Sequence, residues 1–203
     1  MNLYLASGNA HKVAEMNALA QASGLPVTIV SAKAVGGMPP VVEDAGTFVG
    51  NARKKALALQ AILPPGSWVL ADDSGLCVDA LGGAPGVESA YYAGPTGDGS
   101  ANLRKLVEVM AAVPPTQRQA HFVCVLLVIV PGGAEAVFEG RCEGVLGKVP
   151  QGGTGFGYDP LFWPLGYTES FAQLGDAVKN ELSHRGRAWT QLAVWMRVRL
   201  SLG

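Results

Sequence analysis

The sequence lacks the features of a membrane-bound or nucleic-acid-binding protein. Its 203 residues include 15 Lys and Arg and 16 Asp and Glu, a net charge of −1, and the basic residues form no cluster. This balance argues against wrapping of nucleic acid and against binding to an anionic membrane surface. The strongest apolar run, from Phe122 to Val130, is about half the length that a membrane-spanning helix needs. The opening residues, from Met1 to Leu5, have no cationic start, so we expect no signal peptide.

Cysteine is also scarce. Cys77, Cys124 and Cys142 are widely spaced, odd in number and lie inside apolar stretches. This usage favours buried free thiols in a reducing compartment over a disulfide framework or a metal site. Because 49% of the residues are apolar, a core can form without disulfides. We therefore expect a soluble cytoplasmic protein.

Apolar periodicity predicts an α/β fold. Asn2 to Ala6 is typical of a short buried strand, apolar residues then recur at helical spacing from Lys12, and Pro26 to Val30 is typical of a second strand. This order is the unit of a parallel α/β sheet. The length allows one large domain or two lobes that share a core. The further predicted elements are helices at 48–63, 102–112 and about 183–200, a strand at 68–71, and a hairpin of 120–130 with 136–147 that makes the sheet mixed.

The first candidate site is the turn that follows the first strand, with the sequence SGNAHK from Ser7 to Lys12. Gly8 permits close approach of a ligand to the backbone, and the first N–H groups of the next helix form a natural anion site. Lys12 lies one turn into that helix and could reach a phosphate. The alternative is an ordinary turn in which Ser7 or Asn9 caps the helix.

The second candidate is the acidic pair Asp72 and Asp73, which follows the predicted strand 68–71. Adjacent carboxylates suit Mg²⁺ and can act as a general base on a water molecule. Successive residues of a strand point to opposite faces, so one carboxylate is expected to face the site and the other to support it. An Asx-turn that closes the strand is the alternative. Ser74 lacks the context of a serine nucleophile.

Two further stretches could contact a ring or an anion. In GFGYDPLF, which begins at Gly155, the glycines allow a ligand to approach the backbone, and Phe156 and Tyr158 could stack on a flat ring. Core packing of these aromatic residues is the alternative. In SHRGRA, His184 and Arg185 lie in the first turn of the last helix, where a cation is disfavoured unless an anion or an electron-rich base arrives. A solvated polar face is the alternative, and it is favoured for this stretch alone.

The order of these motifs resembles the inosine/xanthosine triphosphate pyrophosphatase family. The resemblance spans nearly the whole chain and is carried by SGNAHK, Glu43 with TFVGNARKKA, ADDSGLCVDALGGAPGVESAYYAG, GFGYDPLF and SHRGRA. Family members hydrolyse non-standard purine nucleoside triphosphates to the monophosphate and pyrophosphate. The resemblance implies one domain over residues 1–203, with an elongated, mixed, twisted sheet flanked by helices, two lobes and a central cleft. It also implies Mg²⁺ as the cofactor and a homodimer.

The resemblance also assigns roles to individual residues. Glu43 and Asp73 would bind the metal, Asp73 would be the general base, and Asp72 would support the site. The triphosphate would be bound by Ser7, Gly8, Asn9, Lys12 and Lys55, with Ser74 touching the substrate. The base and sugar would be held by Phe156, Gly157, Tyr158 and Asp159, and the purine edge would be read by Lys179, His184 and Arg185.

The sequence departs from the family pattern at two positions. Gly50 stands where the family usually has Glu, and Tyr91 stands where it usually has Arg. These departures motivate one alternative, a nucleotide-binding sensor without turnover. A pyrophosphatase for pyrimidine or modified nucleotides, on a related fold, is the other alternative.

Overall fold

The computed structural model describes residues 1–153 and 155–201, which form a mixed six-stranded sheet flanked by helices. The strands are β1 (Asn2–Leu5), β2 (Thr28–Ser31), β3 (Trp68–Val78), β4 (Gln119–Ile129), β5 (Glu135–Leu146) and β6 (Phe162–Pro164). The helices are α1 (Ala10–Ala22), α2 (Phe48–Gln60), α3 (Gly99–Val109), α4 (Phe171–Leu182) and α5 (His184–Ser201). The strand order is β2-β1-β3-β4-β5-β6. β1 runs parallel to β2 and β3, whereas β5 and β6 are antiparallel. The predicted mixed α/β fold is confirmed.

The prediction for β3 was wrong in one respect. The strand does not end before Asp72 and Asp73 but continues through both to Val78. Both residues are buried, with exposed fractions of 1% and 5%. A strand can carry two adjacent buried carboxylates when each has a cationic partner; here Asp72 pairs with Lys12 and Arg185, and Asp73 pairs with Lys55. The acidic pair therefore lies within the sheet and does not form a turn at its edge.

Helix α4 was not predicted. Its start is marked by a capping box, in which the Ser170 side chain and the Gln173 side chain each bind the backbone of the other residue. The pattern Ser-x-x-Gln is a known signal for a helix N-terminus. Gly175 interrupts the helix with φ of 78°, which breaks the apolar periodicity on which the sequence analysis relied.

The chain divides into two compact units, and each has its own core. The first unit comprises Met1–Asp73, Cys124–Gly140 and the chain from Arg185 onward. Its core combines Leu3 and Leu5 of β1 with Trp189 of α5. The second unit comprises Ser74–Val123 and Arg141–His184.

The core of the second unit is rich in aromatic residues. Phe122 packs edge to face on Phe162, with ring centroids 4.7 Å apart, and stacks on Phe171 at 6.1 Å. Leu76 of β3 and Leu106 of α3 are fully buried in the same cluster. These side chains give the second unit a dense scaffold for its loops. Within 1–153 and 155–201, no helix combines the length and the apolarity needed to cross a membrane.

Candidate active site

The turn between β1 and α1 places four of the predicted residues together. Asn9 is the N-cap of α1, and its Oδ1 accepts hydrogen bonds from the N–H groups of His11 and Lys12. The Asn9 N–H in turn donates to Ser7 Oγ at 3.1 Å. Gly8 is exposed, and a Cβ added to it would meet no atom within 4 Å. The turn is therefore a capped helix start with open space beside its backbone.

Asp72 is the centre of a buried charge cluster in the first unit. Its carboxylate accepts from Lys12 Nζ of α1 and, at 2.8 Å, from Arg185 Nε of α5. The Cys124 thiol of β4 donates to the same carboxylate at 3.2 Å. Glu15, one turn after Lys12, forms an ion pair with Arg185. Asp72 thus joins two helices to the centre of the sheet.

The cluster explains why two helix starts carry cations. Burial by itself would raise the pKa of Asp72, but Arg185 and Lys12 outweigh it and hold that pKa well below its usual value. Burial would likewise lower the pKa of Arg185, and Asp72 and Glu15 raise it instead. From the sequence, an incoming anion or an electron-rich base was one explanation for Arg185 in the first turn of α5, and a solvated polar face was the other. Carboxylates of the protein itself already meet that electrostatic need.

Asp73 belongs to a second cluster in the same unit. Its Oδ1 accepts from Lys55 Nζ of α2 at 2.5 Å, and Lys55 Nζ also lies 2.9 Å from Glu43 Oε2. The alternation of a β-strand separates the partners of Asp72 from those of Asp73, as the sequence analysis expected. The structure therefore brings the two predicted metal ligands and a predicted phosphate-binding lysine to one place.

The groups of this cluster shift one another's pKa. Burial raises the pKa of Asp73 to about 6 against the opposing effect of Lys55. For Glu43, burial is outweighed by Lys55, which lowers its pKa. For Lys55, burial is outweighed by Asp73 and Glu43, which raise its pKa. Lys12 also contributes to lowering the pKa of both carboxylates, so the two clusters act on each other electrostatically.

Glu43 and Asp73 fit a magnesium site. The Oδ2 atom of Asp73 is buried and has no hydrogen-bond partner among the residues that the structure describes, so it is a carboxylate oxygen available to a cation. Among all the residues that the structure describes, no group of three or more His, Cys, Asp or Glu side chains could hold a metal ion. Mg²⁺ is compatible with this small donor set because it is usually held by one or two carboxylates, with waters and substrate phosphates as the other ligands.

The second unit contains a third cluster, built from predicted base-binding residues. Lys179 Nζ of α4 donates to Asp159 Oδ2 at 2.7 Å, and the Phe156 N–H donates to the same oxygen at 2.8 Å. Lys179 Nζ also lies 4.6 Å from the centroid of the Phe156 ring. Both charged side chains are 4% exposed. The cluster fixes an aromatic face beside a buried cation, an arrangement that can bind a flat ring.

Other predicted residues have structural contacts as well. The Tyr158 hydroxyl donates to the backbone carbonyl of Ser89 at 2.8 Å, and burial raises the Tyr158 pKa. His184 is buried, and its ring stacks on Phe122 with centroids 4.7 Å apart. Gly157 lies in the loop before Tyr158, and Ser74 follows Asp73 within β3. Substrate contact by these four residues stays a prediction.

The structure accommodates both departures from the family pattern. A Cβ added to Gly50 would lie 2.5 Å from Ala45 Cβ and 2.9 Å from Thr47 Oγ1, so the chain before α2 occupies the space of a side chain there. Tyr91 is 46% exposed at the end of a short 3₁₀ helix. Neither residue belongs to the three charge clusters.

Sequence reasoning missed three residues of the site region. Glu15 pairs with Arg185, Cys124 donates to Asp72, and Asn51 of α2 holds the chain that follows Glu43. Glu15 could have been noticed because it lies three residues after Lys12 on a helix. Cys124 and Asn51 have no comparable local signal. Cys124 contacts a residue distant in sequence, and Asn51 contacts a backbone N–H rather than a side chain.

Comparisons with known proteins agree with the motifs. A model of the Ham1 family matches residues 3–195. The dITP/XTP pyrophosphatase of Opitutus terrae is 62% identical over 201 residues, covering 97% of this chain and 99% of that protein. A HAM1 protein structure from Coxiella burnetii superposes with a TM-score of 0.84 at 34% identity, over 97% of this chain and 98% of the other. The Staphylococcus aureus Ham1 structure gives 0.83 at 32% identity, over 98% and 100%.

These matches extend over both compact units and over all the motifs that carry the resemblance. The resemblance to the inosine/xanthosine triphosphate pyrophosphatases is thereby confirmed. The chain belongs to the Ham1 family.

Proposed function

We propose that this chain is a nucleoside-triphosphate pyrophosphatase that hydrolyses ITP, dITP and XTP to the monophosphate and pyrophosphate. Such an activity would remove non-standard purines from the nucleotide pool. The observation that carries the proposal is the buried carboxylate of Asp73, which Lys55 holds through one oxygen while the other has no described partner. The substrate class is supported by the relatives, which are named dITP/XTP pyrophosphatases.

In this proposal Glu43 and Asp73 hold Mg²⁺ through their carboxylate oxygens. When bound, the metal neutralises charge on the phosphate oxygens and so favours displacement at phosphorus. Asp73 takes a proton from the water that attacks the α-phosphorus. A general base is most effective when its pKa lies near the operating pH, and in the metal-free chain burial raises the pKa of Asp73 to about 6.

The bond changes require no covalent intermediate on the protein. The water oxygen forms a bond to the α-phosphorus, the bond from that phosphorus to the bridging oxygen breaks, and pyrophosphate leaves with the electron pair. The water proton passes to Asp73. Positioning and charge neutralisation account for most of the catalysis of phosphoryl transfer, so no Ser or Cys nucleophile is needed.

The turn at Ser7, Gly8 and Asn9, with Lys12 and Lys55, would bind the triphosphate. Lys12 and Lys55 are positively charged and already lie against the carboxylates of the sheet. A triphosphate would add negative charge beside both lysines. The open space next to Gly8 would allow phosphate oxygens to approach the backbone.

Base selection would follow from hydrogen-bond polarity. Hypoxanthine and xanthine present an acceptor oxygen at C6, whereas adenine presents a donor amine. Donors from Lys179, His184 or Arg185 would pair with the oxygen, whereas the amine would present its own N–H donors to them, so adenine would be disfavoured. Phe156 would stack on the ring, with Gly157, Tyr158, Asp159 and Ser74 completing the contacts to base and sugar.

Replacing Asp73 by Asn tests the proposal. The change removes the base and a metal ligand with little change in shape, and we expect pyrophosphate release from ITP to fall by at least about a hundredfold. The matched control is Asp44→Asn, because Asp44 is an exposed acidic residue next to Glu43. Near-wild-type turnover by a folded Asp73→Asn variant would exclude Asp73 as the base.

A panel of ITP, XTP, dUTP and TTP separates the proposed activity from its alternatives. We expect release of pyrophosphate from ITP and XTP only. Faster release from dUTP or TTP would indicate a pyrimidine pyrophosphatase, and binding of ITP without release in Mg²⁺ would indicate a sensor.

The proposed setting is the cytoplasm, and the proposed assembly is a homodimer. Three free cysteines, two of them buried, are consistent with a reducing compartment. Light scattering of the purified protein at micromolar concentration tests the dimer, since a single species of about 21 kDa would contradict it.

A further inference from the structure

Glu43 lies on a stretch of chain without regular secondary structure, and helix α2 holds this stretch in place. We name residues 42–45 the Glu43 segment. Lys54 Nζ donates to the Val42 carbonyl at 3.3 Å and pairs with Asp44, but the side chains of Lys54 and Asp44 are 43% and 63% exposed. Exposed contacts of this kind hold a chain weakly because water and salt compete with them.

Asn51 makes a partly buried contact to the same segment. Asn51 is a fully buried residue of α2, and its Oδ1 accepts a hydrogen bond from the Ala45 N–H at 3.0 Å. Asn51 precedes Lys55 by four residues, so the two side chains lie on one face of the helix. One face of α2 therefore binds the Glu43 segment at Ala45 through Asn51 and contacts the Glu43 carboxylate through Lys55.

Core stability does not explain an amide at position 51. The Asn51 Nδ2 atom is buried and has no hydrogen-bond partner among the residues described. A buried donor without a partner is unfavourable, and an apolar side chain of similar size would avoid that cost. Ala45, by contrast, is an exposed residue and its hydrogen bond to Asn51 is only partly buried, so water would replace Asn51 if that side chain were absent. The contact thus fixes the segment more than it stabilises the core.

We propose that Asn51 is a positioning residue for the divalent cation site. By accepting from the Ala45 N–H, it keeps the Glu43 segment against α2 and so keeps the Glu43 carboxylate beside Lys55 and Asp73. The inference rests on the proposed function, in which Glu43 and Asp73 hold the metal. It adds a residue that touches neither the metal nor the substrate.

The test measures binding of Mn²⁺ alone, by electron paramagnetic resonance, to the full chain without nucleotide. Asn51→Leu removes the acceptor with little change in volume, and we expect its Kd for Mn²⁺ to rise about 10-fold or more, the range found when a residue supporting a metal ligand is lost. Asn51→Asp keeps an oxygen acceptor for the Ala45 N–H and should retain most of the affinity. Lys54→Ala, which breaks the exposed contacts of the same segment, is the control and should bind as the wild type does.

Hydrogen exchange gives a second readout that does not depend on metal. The Ala45 amide should exchange faster in Asn51→Leu than in the wild type, while the amides of β3 keep their protection. If Asn51→Leu does not fold, Gly50→Ala carries the test, because its added Cβ would meet Ala45 Cβ at 2.5 Å and displace the segment with Asn51 intact. Its Kd for Mn²⁺ should rise as well.

The outcomes separate the inference from the function on which it rests. A wild-type chain that binds no Mn²⁺ would overturn the metal site and the inference together. A wild type that binds Mn²⁺, with a folded Asn51→Leu variant that binds it within twofold and protects the Ala45 amide equally, would overturn the inference alone.

Discussion

Replacing Asp72 by Ala tests whether the buried charge cluster of the first unit holds the sheet and two helices together. The change removes a carboxylate that is 1% exposed and that accepts from Lys12, Arg185 and Cys124. The largest consequence concerns Arg185, whose side chain is only 2% exposed and would keep Glu15 but lose Asp72 as a carboxylate partner. Breaking a buried ion pair from one side typically costs about 3–5 kcal/mol because a charge is left buried and uncompensated.

The surroundings favour the lower end of that range. Glu15 still pairs with Arg185 after the substitution, and Lys12, 16% exposed, can turn to water. We therefore expect the free energy of unfolding to fall by about 3 kcal/mol. For a chain of this length, each kcal/mol lowers the midpoint of thermal unfolding by roughly 2–4 °C, so the midpoint should fall by about 6–12 °C.

Urea and thermal unfolding, followed by circular dichroism, measure the effect. Asp44→Ala is the matched control, since it removes an exposed carboxylate that pairs with Lys54 and should leave the midpoint of unfolding unchanged within error. A loss for Asp72→Ala no larger than that of the control would refute the reasoning. It would mean that Arg185 and Lys12 find other compensation and that the cluster does not hold the helices to the sheet.

Three further predictions concern the second unit. Tyr158→Phe removes the hydroxyl that donates to the Ser89 carbonyl and should lower the free energy of unfolding by about 1 kcal/mol in a urea titration. A fall in ITP turnover greater than this loss of stability explains would point to direct contact of the hydroxyl with the substrate. Lys179→Met removes the ammonium group that pairs with the buried Asp159 carboxylate, so KM for ITP should rise more than kcat falls. An unchanged KM in steady-state kinetics would contradict a base-binding role. Arg118→Met leaves four backbone carbonyls in a buried site without their guanidinium donor and should reduce the yield of folded protein. Wild-type expression and a wild-type thermal midpoint would argue against these four hydrogen bonds.

The fold followed from local patterns wherever the pattern was undisturbed. The β1–α1–β2 unit and the long strands of the hairpin were predicted because apolar residues recur with clear periods there. Helix α4 escaped notice because Gly175 breaks its helical pattern, and β3 was cut short because adjacent aspartates are typical of turns. For β3, tertiary ion pairs to both aspartates outweighed the local preference.

The candidate site shows the same division. Motif order pointed to Glu43, Lys55 and Asp73, and the structure brings them together. Motif order could not show that Arg185 already has carboxylate partners, or that Tyr158 donates to a backbone carbonyl. Those contacts join residues 69 to 170 positions apart, so no local pattern reports them.

The sequence by itself determined the family, the mixed α/β fold and the identity of the charged groups, because motifs and apolar periods are properties of neighbouring residues. Only the tertiary structure decided which cation neutralises which carboxylate. It also decided which oxygen of Asp73 keeps no described partner. Both depend on distances of a few ångströms between distant parts of the chain, and Coulombic and hydrogen-bond energies change steeply over such distances in a buried site.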